Sequence, residues 1–505
     1  MENPVSPLLP QSYVWRQKIG FPLGVVLFVL VLLLPTPEGL SVEAQRAGAV
    51  AILMAVWWIS ESLPVAATAM MPLALYPMLG VMSTAQTAAP YANPNIFLFM
   101  GGFMIAMAMQ KWHLHKRLAL HVILLVGSGP RQMLLGFMAA TAFLSMWVSN
   151  TATAVMLLPV ALAVIHQMAE RGARETTQQK LSLCLMLGIA YAASVGGTAT
   201  LIGTPPNVIF AGQVETLLPG LGEVGFVRWF LFAFPLAVGF LILVWLYLTF
   251  IVGRLPKSSK ADRSLIRKEL VQMGAWSRGE RGVMIIFVLT ALAWMGRGDV
   301  EIGTVVLPGW TTVLGWSGIH DGTIAVVAAL LLFATPVDFK NVDFLLDWTW
   351  AKKLPWHVLL LFGGGFALAE SFQATGLDIW IGSGIGLLKG MPVFLLVLAL
   401  CLTVTFLTEV TSNTATATML MPVLAAAATV LEVHPFLLMI PVTLSASFAF
   451  MLPVATPPNA VVFGSGHVTI PQMAKAGLTL NILGALWITI MTFFLGIPVF
   501  NLNGP

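Results

Sequence analysis

Charge is what this chain has least of: Asp, Glu, Lys and Arg together make up 9% of its 505 residues. Water-soluble domains carry roughly a quarter charged residues, so no large part of the chain is built to face water. With 58% hydrophobic residues and a mean hydropathy of +0.90, the composition belongs in lipid. Cysteine is equally scarce. Cys184 and Cys401 both lie in apolar runs, which implies no disulfide framework and leaves them as small core residues. Catalytic patterns are missing as well. There is no His-Glu-x-x-His, no Gly-x-Ser-x-Gly and no paired aspartates in the apolar spans, which argues against an intramembrane enzyme. His113, His115, His121 and His166 fall at helix ends or polar edges, which argues against a metal site. The apolar run 21–34 follows Arg16 and Lys18 as in a secretion signal. It ends at Pro35-Thr36-Pro37-Glu38 with no small-x-small cleavage site, and reads as a retained first transmembrane helix.

What is present is a succession of apolar stretches of about the length a bilayer needs. They fall near 20–35, 47–63, 66–82, 95–110, 183–211, 229–252, 283–296, 323–336, 356–374, 435–463 and 477–499. Two zones between them, 131–168 and 391–431, are rich in small residues and have apolar flanks around a polar centre. Each reads as two half-length helices meeting at a re-entrant tip. Irregular backbone is not tolerated against lipid, so these tips must be buried in protein or line a cavity. The expected fold is an all-α polytopic membrane protein, with most of its sixteen tryptophans serving as interfacial anchors.

The polar centres are two copies of one phrase. Ser149-Asn150-Thr151-Ala152-Thr153-Ala154-Val155-Met156-Leu157-Leu158-Pro159-Val160 recurs from Ser412 to Val423 with ten positions identical. Each copy is followed by Thr-Pro-Pro-Asn, at 204–207 and 456–459. Leu98-Phe99-Met100-Gly101-Gly102-Phe103 and Leu361-Phe362-Gly363-Gly364-Gly365-Phe366 are separated by 263 residues, as are Ser149 and Ser412, whereas Thr204 and Thr456 are 252 apart. A duplicated helix-breaking motif in an apolar chain points to one binding site built from two related halves, and so to transport.

Loop charge orients the halves. Residues 254–281 hold eight basic side chains (Arg254, Lys257, Lys260, Arg263, Arg267, Lys268, Arg278 and Arg281) against three acidic ones. The connection 297–321 sets Arg297 against Asp299, Glu301 and Asp321. The first is expected to be cytoplasmic and the second external; Lys111, Lys116, Arg117, Arg171, Arg174 and Lys180 agree. With no aromatic interleaving, the basic segment reads as a topological signal and not as a nucleic-acid patch. The N-terminus is then cytoplasmic and the C-terminus external. Five spans separate the two zones, so they enter from opposite sides. The expected organisation is an inverted pair, 1–253 and 283–505, joined by a basic amphipathic segment, 254–282.

The chemistry of the motifs is oxygen-rich. Ser, Asn and Thr supply hydroxyl and amide oxygens, and a broken helix frees backbone carbonyls and N–H groups. Carbonyls suit a small hard cation, and N–H groups at a half-helix N-terminus suit an anion. The Pro-Pro pairs enforce the break, and Asn207 and Asn459 are placed to bond the backbone left open. No Lys or Arg lies in either motif core. An uncompensated charge at the membrane centre costs about 3 kcal/mol on insertion scales. Co-binding of cation and anion removes that cost, with each favouring the other.

These residues resemble the divalent-anion/sodium symporter family of di- and tricarboxylate carriers. The resemblance is carried by both SNT motifs, both TPP loops, the segment Lys111-Trp112-His113-Leu114-His115-Lys116-Arg117 and Ser447-x-x-Phe450-x-x-Pro453-Val454-Ala455-x-x-x-Asn459-x-Val461-Val462, and spans essentially the whole chain. It implies about eleven transmembrane helices with two re-entrant hairpins, a homodimer, and an elevator movement. It assigns one sodium ion to Ser145, Ser149, Asn150 and the Gly203 backbone, and a second to Thr408, Thr411, Asn413 and the Ala455 backbone. Substrate carboxylates are expected at Asn150, Thr151, Asn413 and Thr414, with Thr204, Pro205, Thr456 and Pro457 lining the site. The expected activity is sodium-coupled uptake of C4-dicarboxylates or related tricarboxylates, with two or more sodium ions. Sodium-independent organic-anion exchange and sulfate transport remain the alternatives. Glu409 reads equally as a proton or cation site and as a structural carboxylate.

Overall fold

The computed structural model describes residues 15–127, 129–170, 175–257, 264–302, 305–316, 318–385 and 389–502. Lys260, Arg263, Arg171 and Arg174, used above for orientation, lie outside the described residues. Apart from two small antiparallel ladders, Val300–Ile302 with Val305–Leu307 and Pro336–Asp338 with Asp343–Phe344, the described secondary structure is helical. Among the described residues, nine helices are long and apolar enough to cross a membrane; two of these, Asn150–Gln167 and Asn413–Leu431, are arms of the expected hairpins. The shorter apolar helices Val65–Leu79, Asp321–Ala334 and Phe436–Ser445, with Arg278–Met295, accompany them in an all-α polytopic membrane protein. Trp15–Leu33 is only 11% buried, whereas Gln178–Gly197 is 89% buried, which separates a lipid-facing helix from a central one.

Both hairpins form where small residues flank the polar tips. Pro130–Ser145 returns as Asn150–Glu170, and Val393–Thr408 returns as Asn413–Leu431. The stretches 183–211 and 435–463, continuous in hydropathy, are each broken. The first becomes Glu175–Gly197 and Pro205–Leu217, and the second Phe436–Ser445 and Pro457–Phe463. The cause is local: Pro205-Pro206 and Pro457-Pro458 lack the N–H groups that would continue the ladder, and proline is tolerated only in the first turn that follows. Leu114–Val126 and Leu377–Ile385, too short for a span, precede the two hairpins at matching places in the element order. The halves interlock. Pro205–Leu217 packs on Asn413–Leu431 of the other half, and Pro457–Phe463 packs on Asn150–Glu170.

The charge clusters lie at opposite ends of one helix. At the start of Arg278–Met295, Ser277 and Glu280 form a capping box, and Glu280 also takes Arg117 at 2.6 Å. Lys116 meets Glu269 at 2.9 Å, and Lys111 meets Asp343 and Asp347 at 2.8 and 2.9 Å. Just past the other end, Arg297 bonds Asp321 at 2.5 Å and also reaches Glu223. Eighteen residues of helix separate the clusters by about 27 Å, close to a bilayer core.

Backbones approach closely where the Gly-rich helix Trp356–Thr375 crosses Val65–Ala69. A methyl built on Gly364 would lie 2.3 Å from the Ala69 carbonyl oxygen and 2.7 Å from its Cα. Backbone cannot yield as a side chain does, so Gly364→Ala is expected to destabilise by about 1–3 kcal/mol. Thermal unfolding in detergent checks this as a lowered midpoint.

Candidate functional site

The first tip is built from closely approaching backbone. A Cβ on Gly203 would stand 2.3 Å from the Gly197 carbonyl oxygen and 3.0 Å from that of Ser145. One on Gly197 would stand 2.7 Å from Asn150 Oδ1 and 3.1 Å from the Gly203 carbonyl. Ser145, Asn150 and Gly203 are therefore gathered at one point, as the resemblance implies, with Gly197 added to them. Ser149 starts the second arm, its Oγ accepting the Ala152 N–H at 3.3 Å. Ser145 Oγ and Asn150 Oδ1 are buried and have no hydrogen-bond partner among the described residues. Buried polar atoms are almost always paired, so two orphaned oxygens among close carbonyls form a donor set fitted to a small hard cation.

The second tip repeats the plan with one difference. Ser412 Oγ accepts the Ala415 N–H at 3.4 Å, mirroring Ser149. Thr408 Oγ1 lies 2.5 Å from Asn413 Oδ1 and 2.9 Å from the Ala446 carbonyl. The oxygens equivalent to the orphaned pair are thus bonded to each other. Thr411 Oγ1 donates to the Leu407 carbonyl at 2.8 Å and accepts from Thr416 Oγ1 at 2.8 Å, which leaves it one free lone pair.

The TPPN segments match in detail. Thr204 and Thr456 are both extended, at φ −145° and ψ 142° and at φ −140° and ψ 148°. Asn207 Nδ2 donates to the carbonyls of Thr200 (2.8 Å), Thr198 (3.1 Å) and Gly197 (3.4 Å). Asn459 Nδ2 donates to Leu452 (3.0 Å) and Ala449 (3.2 Å), which stand 252 residues from Thr200 and Gly197. Both asparagines therefore close the carbonyls exposed by the break.

A cavity of about 580 Å³ joins the four segments. Asn150, Thr151, Asn413, Thr414, Thr204, Pro205, Thr456 and Pro457, all expected around the substrate, line it, as do Ser149, Gly203, Thr411 and Ala455. Ser145 and Thr408 lie buried and do not reach it. The SNT arms begin at the cavity and offer N–H groups and amides. The TPPN helices begin there too, but with prolines, and so offer hydroxyls and carbonyls instead. One cavity therefore holds donors for an anion beside acceptors for a cation.

One part of the site was not singled out from the sequence, and the role of Glu409 was left open by it. The remaining wall comes from Phe99, Phe103, Met107 and Gln110 on Pro94–Lys111, from Glu61, and from Lys353, Pro355, His357 and Val358. Phe99 and Phe103 lie in the repeated Leu98–Phe103 phrase, and the others carry no motif that marks them. Glu409 resolves as a structural carboxylate: Oε1 accepts N–H bonds from Phe450 (2.8 Å), Met451 (2.9 Å) and Asn481 Nδ2 (2.7 Å), and Oε2 accepts from Leu452 (2.9 Å). It pins the loop that leads to Ala455 and Thr456. The signal was its place in Glu409-x-x-Ser412, where the other copy has Met146.

Two re-entrant hairpins and two broken helices around a shared polar cavity define the architecture of a membrane transporter. The profile of the "Sodium:sulfate symporter transmembrane region" matches residues 17–502, and the chain belongs to that family. It is 41% identical over 498 residues to the sodium-dependent dicarboxylate transporter SdcS of Staphylococcus saprophyticus, covering 98% of this chain and 94% of that one. It is 42% identical over 486 residues to SdcS of Staphylococcus aureus, covering 95% and 91%. Among solved structures, the Alcanivorax borkumensis YdaH transporter shares the fold at a TM-score of 0.57 and 16% identity, over 98% of this chain and 99% of that one. Neisseria gonorrhoeae MtrF does so at 0.56 and 13%, over 95% and 96%. The protein is a transporter and not an enzyme.

Proposed function

We propose that this protein is a secondary active symporter that carries C4-dicarboxylates, or related di- and tricarboxylates, into the cell with sodium. The observation that carries the reading is the pair of orphaned oxygens, Ser145 Oγ and Asn150 Oδ1, beside a cavity lined by both SNT tips. Sodium at Ser145, Ser149, Asn150 and Gly203, and at Thr408, Thr411, Asn413 and Ala455, supplies the positive charge that the motifs lack. Substrate carboxylates then take N–H and hydroxyl donors from Asn150, Thr151, Asn413 and Thr414, within walls that include Thr204, Pro205, Thr456 and Pro457. Ion and anion share the two asparagines, so each lowers the cost of dehydrating the other.

The halves 1–253 and 283–505 act as an inverted pair about the 254–282 segment, in a homodimer with cytoplasmic N-termini and external C-termini. Their hairpins move together as an elevator against the rest. The close likeness to proteins named for sodium and dicarboxylate supports this substrate class over sulfate. Two sodium ions make transport of a dianion neutral, and a third couples it to membrane potential at about 2.3 kcal/mol per 100 mV.

Succinate uptake into proteoliposomes tests the reading. Replacing sodium with choline is expected to abolish uptake. Undiminished uptake that requires internal dicarboxylate would establish exchange instead, and sulfate accumulation without succinate accumulation would establish a sulfate carrier.

A further inference from the structure

Among the described residues the cavity is lined by one basic side chain of fixed charge, and it comes from outside both motifs. Lys353 lines it together with Pro355, His357 and Val358. The loop carrying Lys353 is held in place. Asp347 caps the short helix Trp348–Ala351 and is tied to Lys111 at 2.9 Å, while Trp112 Nε1 donates to the Leu345 carbonyl at 2.9 Å. Lys353 itself is exposed, with its ammonium 3.6 Å from the centre of the Trp350 ring.

The carboxylates within reach of this region already have partners. Asp343 and Asp347 are both bonded to Lys111, and Glu61, the only acidic residue lining the cavity among the described residues, is bonded to Arg16 at 2.5 Å. Among the described residues no carboxylate forms an ion pair with Lys353. Its neighbour Lys352 is exposed as well but does not line the cavity. An ammonium that has no carboxylate partner among the described residues, carried by an anchored loop on the wall of a cavity whose motif residues are uncharged, is an electrostatic feature with a direction. It favours anions, and doubly charged anions most.

We infer that Lys353 is a specificity-determining residue, whose ammonium draws a doubly charged carboxylate into the cavity and holds it on its passage to or from the SNT tips. The inference rests on the dicarboxylate reading above. It divides recognition between two structures: the tips orient the carboxylates and bind the cation, and the loop at 353–358 selects for charge. Attraction by an exposed charge acts through water and is weakened by salt.

Equilibrium binding of succinate to the purified full chain in nanodiscs, at saturating sodium, exposes both faces and reads the effect directly. Lys353→Gln is expected to weaken binding about fivefold and Lys353→Glu further, while Lys353→Arg and Lys352→Gln stay within about twofold of wild type. Monomethyl succinate, a monoanion, is expected to lose less than succinate. Added choline chloride is expected to shrink the succinate difference. Wild-type binding by Lys353→Gln and Lys353→Glu overturns the inference, as does an equal, salt-insensitive loss in Lys353→Arg. Failure of the wild type to bind succinate with sodium would instead overturn the substrate reading. The same variants titrated with sulfate, also a dianion, then decide the role of Lys353 independently.

Discussion

Asn150→Ala is expected to weaken sodium and succinate binding together, each by about 10- to 100-fold. The amide is the point where the two chemistries meet. Its Oδ1 is buried beside the Gly197 and Gly203 backbone without a hydrogen-bond partner among the described residues, and the residue also lines the cavity. A hydrogen bond to a charged group contributes about 1.5–3 kcal/mol, and 1.4 kcal/mol is a factor of ten. Asn413→Ala is expected to have the same double effect, and it also leaves Thr408 Oγ1 without its 2.5 Å partner. Sodium titrations at fixed succinate, and the reverse, separate the affinities. Sodium affinity unchanged in both variants would rule out a shared ligand.

Glu409→Ala is expected to cost about 3–5 kcal/mol of stability, since each buried donor left without an acceptor costs about 1–3 kcal/mol. It would strand the N–H groups of Phe450, Met451 and Leu452 and the amide of Asn481, all satisfied by this one carboxylate. Glu409→Gln keeps the volume but turns an NH₂ toward N–H donors, and is expected to cost about 2–3 kcal/mol. Because the pinned loop leads to Ala455 and Thr456, the second cation is expected to bind more weakly in Glu409→Gln, with the first less affected. Thermal unfolding and the sodium dependence of uptake measure the two effects. A Glu409→Gln protein of normal stability and sodium dependence, altered only in the pH profile of transport, would make Glu409 a proton carrier.

How much could be read before the fold was known differs from element to element. The hairpins at 131–168 and 391–431 were legible because small residues around a polar centre contradict a continuous span. The helix breaks were legible in kind, since Pro-Pro stops the ladder, but hydropathy ran on through 183–211 and 435–463 because the broken segments are themselves apolar. The short helices Leu114–Val126 and Leu377–Ile385 were not read as elements, being too short to register as spans. At the site, every residue expected around the substrate lines the cavity. Lys353 was invisible because it lies in a loop about two hundred residues from one motif and sixty from the other.

The amino-acid sequence by itself determined that this protein lives in a membrane, that its site is doubled, and which oxygens the site offers. Those properties follow from composition, repetition and side-chain chemistry, all of which are local. Only the tertiary structure decided which partners meet. It crossed each TPPN helix onto the other half's SNT arm, left Ser145 and Asn150 unsatisfied while pairing Thr408 with Asn413, and brought Lys353 to a cavity whose motifs carry no charge. Distance along the chain says nothing about such contacts, because packing and electrostatics act through space.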